Sequence, residues 1–187
     1  MGIGRLLLRG TIGALFFGHG MQKLAGWFGG HGPAGTGQFF DTMGLRPGRR
    51  QALAAGAAEA GGGLLLAAGL ATPVAGALLS GVMFTAIERV HWRNGPWVTD
   101  NGFEYQAVLL ASLFELVDRG PGALSADHAL GIERKGLPWA LAAIGAGAAG
   151  SAATVVPARR TLREEAPAEE ATTREHEEVV TTAAATA

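Results

Sequence analysis

The sequence predicts an all-α fold, an integral membrane four-helix bundle with an additional C-terminal transmembrane helix and a disordered charged tail. Three observations point there. Four or five segments approach the roughly 20 apolar residues needed to cross a bilayer core of about 30 Å. Charged residues are only 17% of the 187, against about 25% in soluble domains. Clusters of Gly and Pro interrupt the apolar runs at helix-length intervals. The expected division is a four-helix membrane domain over 1–120, a connector over 121–136, a fifth span over 137–156 and a charged tail over 157–187.

The first span is Ile3 to Leu24. Arg5 and Arg9 imitate the basic start of a signal peptide, but no small-residue cleavage site follows, so the segment is expected to stay in the membrane. Gly26 to Gly48 reads as irregular backbone, with QFFDTMGL inside it as a short amphipathic or re-entrant helix. The second span covers about Arg50 to Leu70. Thr72-Pro73 opens the third, Thr72 as N-cap and Pro73 at the first helical position, and that span runs to about Val90. So short a connection makes spans two and three antiparallel neighbours. HWRNGPWVTDNG is a turn-rich loop whose Trp92 and Trp97 suit headgroup depth. The fourth span, Phe103 to Val117, is weakly apolar. Residues 137–156 form a clean apolar twentymer, with Gly147 and Ser151 at the small-xxx-small spacing of associating helices. Beyond Pro157 the chain has dense charge and no aromatics, the composition of a disordered tail.

The net charge of −1 offers no field for a polyanion, so no nucleic-acid partner is expected. The chain has no cysteine, which excludes disulfides, thiolate nucleophiles and Cys-ligated clusters within it. The more numerous basic residues beside loops one and three and the tail place the C-terminal tail in the cytoplasm of a multi-pass plasma-membrane protein, although Arg5 and Arg9 count the other way.

Ionisable groups inside apolar spans are costly and therefore informative. Glu59 lies mid-span, beside a strip of small residues (Gly56, Ala60, Gly63 and Ala67) that marks a close helix approach and turns Glu59 inward. It either fastens two helices by pairing with a base or serves a function. His19 and Lys23 share a helix face, as a proton-transfer pair, as contacts for a polar ligand head, or as a snorkelling lysine beside a core histidine. Gly81, Thr85, Glu88 and Trp92 share a face of span three, flanked by Arg89 and His91. Glu104 and Glu115 share a face of span four, and Asn101-x-x-Glu104 also fits a capping box. With an ionisable group on an apparent inner face of every one of these spans, a shared polar cluster of His19, Lys23, Glu59, Glu88, His91 and Glu104 is expected. Trp27, Phe28, Trp92, Trp97 and Tyr105 would form its interface or lid. Glu88-x-x-His91 is a single E-x-x-H where a di-metal bundle needs two, no H-x-x-x-H spacing occurs, and no metal is assigned.

RLLLRGTIGALFFGHGMQKLAGWFGG, FFDTMGL, AEAGGGLLLAAGLATPVAGALLSGVMFTAI and NGPWVTDNGFEYQAVLL together resemble the DoxX family of small bacterial membrane proteins, over residues 5 to 118. The resemblance implies a four-helix membrane bundle, with His19, Lys23, Trp27, Glu59, Glu104 and Tyr105 at family-matching positions. Span five and the tail lie outside it. It also implies a redox setting, since relatives in the wider group are described as subunits of thiosulfate–quinone oxidoreductases or as partners of redox enzymes.

The expected function is thus an accessory subunit in membrane redox or respiratory chemistry. Its polar cluster is suited to a quinone-like or other small lipophilic ligand, and no cofactor is carried by the chain itself. Expected partners are the lipid bilayer, a soluble or membrane redox protein, and further copies of the chain. A non-catalytic scaffold or transport protein, its ion pairs purely structural, accounts for the same residues.

Overall fold

The structure, a computed structural model, describes the backbone of residues 2–185 and the side chains of residues 2–160 and Leu162. It is all-α. The helices are α1 (Ile3–Ala25), α2 (Gly32–Thr42), α3 (Gly48–Ala68), α4 (Thr72–Ala86), α5 (Glu104–Arg119), α6 (Ala126–Ala129) and α7 (Leu137–Ala185). Gly26 and Gly69, both left-handed, end α1 and α3 where a side chain would strain the backbone.

Helix α1 packs antiparallel on α3, the most extensive helix contact in the chain. Glycine makes this possible. A methyl on Gly13 would sit 2.6 Å from the Gly63 carbonyl oxygen, and one on Gly20 would sit 2.7 Å from that of Gly56. The small strip on the second span is therefore the seat of α1. Helix α7 runs parallel to α4, where Gly81 meets Gly147 and Thr85 Oγ1 donates to Ser151 Oγ at 2.9 Å. It also touches α5. The segment expected as an appended span is part of the packed body. Between these pairs lies a core that includes Phe16, Leu66, Leu79, Leu113 and Leu116.

Among the described residues two helices are long and apolar enough to cross a membrane, Thr72–Asn94 and Leu137–Arg160, and only 28% of each apolar window is buried inside the protein. A core helix of a soluble protein would be mostly buried, so these faces suit lipid. The 16 residues of α5 span about 24 Å, less than a bilayer core of about 30 Å.

Several local expectations are corrected. Helix α2 begins at Gly32, with Pro33 in its first turn, so 11 residues of the supposed irregular loop are helical, well ahead of QFFDTMGL. Thr72 is the first residue of α4 and not its cap; the buried Asp127 takes over, accepting from Ala71 N (2.7 Å), Thr72 N (3.1 Å) and Thr72 Oγ1 (2.8 Å). Asn101 does not cap α5, because its backbone is left-handed and Phe103 is the N-cap. Pro157 does not stop the last helix, whose backbone continues to Ala185. The side chains of the charged tail expected over 157–187 lie, beyond Leu162, outside the described residues.

The antiparallel run of the helices sorts the termini into two ends. One end holds the start of α1, the connector with α6 and the start of α7, tied by Arg5 Nη1 donating to the Arg119 carbonyl at 2.9 Å. The other holds α2, the 92–104 loop and the stretch of α7 near Arg159. The candidate site lies toward this second end.

Candidate functional site

Glu59 is the pivot of the site. It is 4% exposed on α3, and its Oε2 lies 2.6 Å from Lys23 Nζ on α1. The contact is an ion pair rather than a well-directed hydrogen bond, because Oε2 makes no hydrogen bond of acceptable angle among the described residues. Lys23 therefore turns inward where a snorkelling lysine would reach for water. Its ammonium also lies 3.4 Å from the His19 carbonyl. The cause is local: Gly20 and Gly56 let α1 and α3 approach so closely that a side chain on the last turn of α1 lands on the face of α3 that bears Glu59.

The pair is not sealed. Lys23 and Glu59 both line a half-open cavity of about 450 Å³ whose walls come from α2, α3, α4 and α7 and are overwhelmingly apolar. Phe40, Met43 and Met83 supply bulk, and Gln51, Thr85 and Arg89 supply further polar atoms. An apolar pocket of this size with a few convergent polar groups is the usual form of a small-molecule site.

The other predicted residues go elsewhere. His19 is exposed, and its Nδ1 lies 3.0 Å from Gln22 Oε1. Glu88 pairs across α4–α7 with Arg159 at 2.7 Å, and with Arg89 at 3.6 Å. His91 Nδ1 lies 2.7 Å from the Asn101 carbonyl, and the exposed Glu104 accepts from Val98 N at 3.0 Å. The single centre expected from His19, Lys23, Glu59, Glu88, His91 and Glu104 thus resolves into the Lys23–Glu59 pair, the Glu88 pairings and a polar loop. For α5 the reason is orientation. Its Glu104, Val108, Ala111 and Glu115 all lie on the exposed side, while Gln106, Leu109, Leu113, Leu116 and Val117 are buried. For α4 it is register. A π-helical turn over Ile87–His91 adds a residue to the turn and swings Trp92 away from Gly81 and Thr85.

Trp27, Phe28, Trp92, Trp97 and Tyr105 are all exposed, with Trp92 stacked on Phe103 at 5.5 Å. None of the five lines the cavity; the aromatics that do are Phe39 and Phe40 of α2. Among the described residues no group of three or more His, Asp or Glu is placed to hold a metal ion.

Two buried residues escaped sequence reasoning. Arg9 is 2% exposed, and its guanidinium donates to the carbonyls of Leu66, Ala67 and Leu124. It thereby satisfies orphan acceptors at the C-terminus of α3. Asp127 performs the matching task at the N-terminus of α4. Both depend on contacts more than 50 residues apart, which no periodicity reveals.

The Bacillus subtilis (strain 168) protein named "Putative oxidoreductase CatD" is 35% identical to this chain over 125 residues, covering 67% of this chain and 85% of that protein. No solved structure matches the chain significantly. The sequence profile of DoxX matches residues 4–92, the stretch that contains α1 to α4 and therefore both Lys23 and Glu59. With membrane-compatible helices, a relative of this identity and a matching profile, the chain belongs to the DoxX family of membrane proteins.

Proposed function

We propose that this chain is a multi-pass membrane subunit that binds a small lipophilic ligand with a polar head, quinone-like in character, in service of membrane redox chemistry. One observation carries the reading: the Lys23–Glu59 ion pair opens onto an apolar cavity of about 450 Å³. The donor set fits such a ligand. Lys23 can donate to a carbonyl head, Glu59 can hold or release a proton beside it, and the walls accept an apolar ring or tail. A quinone would supply two-electron, two-proton redox capacity. With no cysteine, the chain itself cannot relay thiols. The oxidoreductase in the relative's name belongs to the same chemistry.

The test is binding of menadione to the purified chain in nanodiscs, read by tryptophan quenching. Saturable quenching is expected, weakened by Glu59→Gln and abolished by Ala55→Phe, which fills the cavity. Quenching that rises linearly and equally in all three proteins overturns the proposal.

A scaffold reading has its own support, since Lys23–Glu59 joins α1 to α3 and Glu88–Arg159 joins α4 to α7. Fully structural pairs would leave menadione unbound.

The same packing supports a cytoplasmic α2 end. Arg9 is buried against carbonyls and Arg5 donates to the carbonyls of Arg119 and Gly120, so the two arginines that argued for the opposite orientation are committed to structural contacts. Arg49, Arg50, Arg93 and Arg160 remain exposed at the α2 end, in line with positive charge on the cytoplasmic side.

A further inference from the structure

A second and larger cleft, of about 1030 Å³, opens between the C-terminal part of α4 and the face of α7 running from Ala148 to Leu162. It is distinct from the Lys23–Glu59 cavity, with Arg89 on the boundary of both. Among the described residues, three arginines, Arg89, Arg93 and Arg159, line it against one acid, Glu88. The balance is cationic even after Glu88 has taken Arg159, because Arg93 has no hydrogen bond or ion pair among the described residues and is exposed. Deeper in, Arg89 Nε is buried without a hydrogen-bond partner among the described residues. The rest of the wall is apolar, with Phe84, Ile87, Val155 and Val156, and the exposed Trp92 sits at the rim.

We propose that this cleft is a binding site for an anionic phospholipid. Arg93 and Arg159 hold the headgroup phosphate, and an acyl chain lies along Phe84, Val155 and Val156. Two arrangements favour lipid over a soluble anion. Cationic and apolar surfaces are contiguous in one cleft, which matches the two halves of a phospholipid and leaves half of the site unused by a free phosphate. The arginines also lie at the end of the two membrane-length helices beside an exposed tryptophan, the depth at which headgroups sit. Basic pockets between membrane helices commonly take anionic headgroups.

The test uses the delipidated full chain in neutral detergent. Retention of phosphatidylglycerol, phosphatidylcholine and inorganic phosphate is compared by native mass spectrometry and thermal unfolding. The expected result is retention of phosphatidylglycerol about tenfold tighter than phosphatidylcholine, with Arg93→Gln reducing the preference about fivefold, the factor one basic residue near an anionic surface is worth. Equal retention of the two lipids overturns the proposal. So does an unaltered preference in Arg93→Gln, or stabilisation by inorganic phosphate alone equal to that by phosphatidylglycerol. The wild-type comparison stands whether or not the variant folds.

Discussion

Lys23 Nζ and Glu59 Oε2 meet at 2.6 Å across the α1–α3 contact, with the lysine side chain 20% exposed and the glutamate 5%. An ion pair this dry is costly to split, because removing one partner strands a buried charge, by about 3 kcal/mol in comparable cases. Lys23→Met is therefore expected to destabilise the chain by about that amount, whereas the double variant Lys23→Met/Glu59→Met recovers most of the loss. Thermal unfolding of the four proteins in detergent checks it. Additive losses would mean the two side chains do not interact.

The α1–α3 contact tolerates no added side chain at its closest points. Gly20→Val should cost about 2 kcal/mol by overpacking, since its Cβ would run into the Gly56 oxygen and the Ala60 backbone. Gly18→Ala, two residues away with nothing within 4 Å, should stabilise by up to about 1 kcal/mol through helix propensity. Equal unfolding temperatures for the two variants would show that the helices are not packed this way.

Asp127 holds the start of α4 from the connector. Replacing it by alanine removes three accepted hydrogen bonds and should cost about 2 kcal/mol, the upper range for a helix cap. Hydrogen exchange at Ala71 and Thr72 should accelerate first. Protection unchanged there would refute the assignment.

In the same connector, Lys135 Nζ donates to Glu133 Oε2 at 3.0 Å and holds that carboxyl below the usual glutamate range, with His128 adding a weaker pull. A depressed carboxylate stabilises the folded chain at and above its ordinary pKa, and the contribution is lost as pH falls through the lowered value. Lys135→Met should move the Glu133 midpoint upward, as read from its carboxyl carbon resonance. An unmoved midpoint would assign the depression to another group.

Topology can be read directly, because the chain has no native cysteine. A membrane-impermeant maleimide applied to intact cells should label Gly131→Cys in the connector and spare Thr99→Cys in the 92–104 loop. The reverse pattern would invert the orientation.

How far the sequence could be read depended on the kind of signal. The starts and ends of α1, α3, α4 and α5 were legible within a few residues, because apolar runs stop at Gly, Pro and polar clusters whatever their neighbours do. Glu59 was legible as an inward residue because the glycines and alanines beside it announced a close helix. Glu104 and Glu115 misled for the complementary reason. A helical period defines a face but carries no information on whether that face meets protein or surroundings, and the leucines opposite claimed the interior.

By itself, then, the amino-acid order determined an all-α membrane chain, the approximate extent of its long helices and the residues with chemistry to offer. The tertiary structure alone decided that Lys23 turns to Glu59, that Glu88 turns to Arg159, and that Arg9 and Asp127 serve helix ends far away in the chain. The physical reason is that helix formation is a local matter of hydrogen bonds and hydropathy. Which charges share a dry space depends on how closely two helices approach, and here that distance is set where Gly13 and Gly20 meet Gly63 and Gly56.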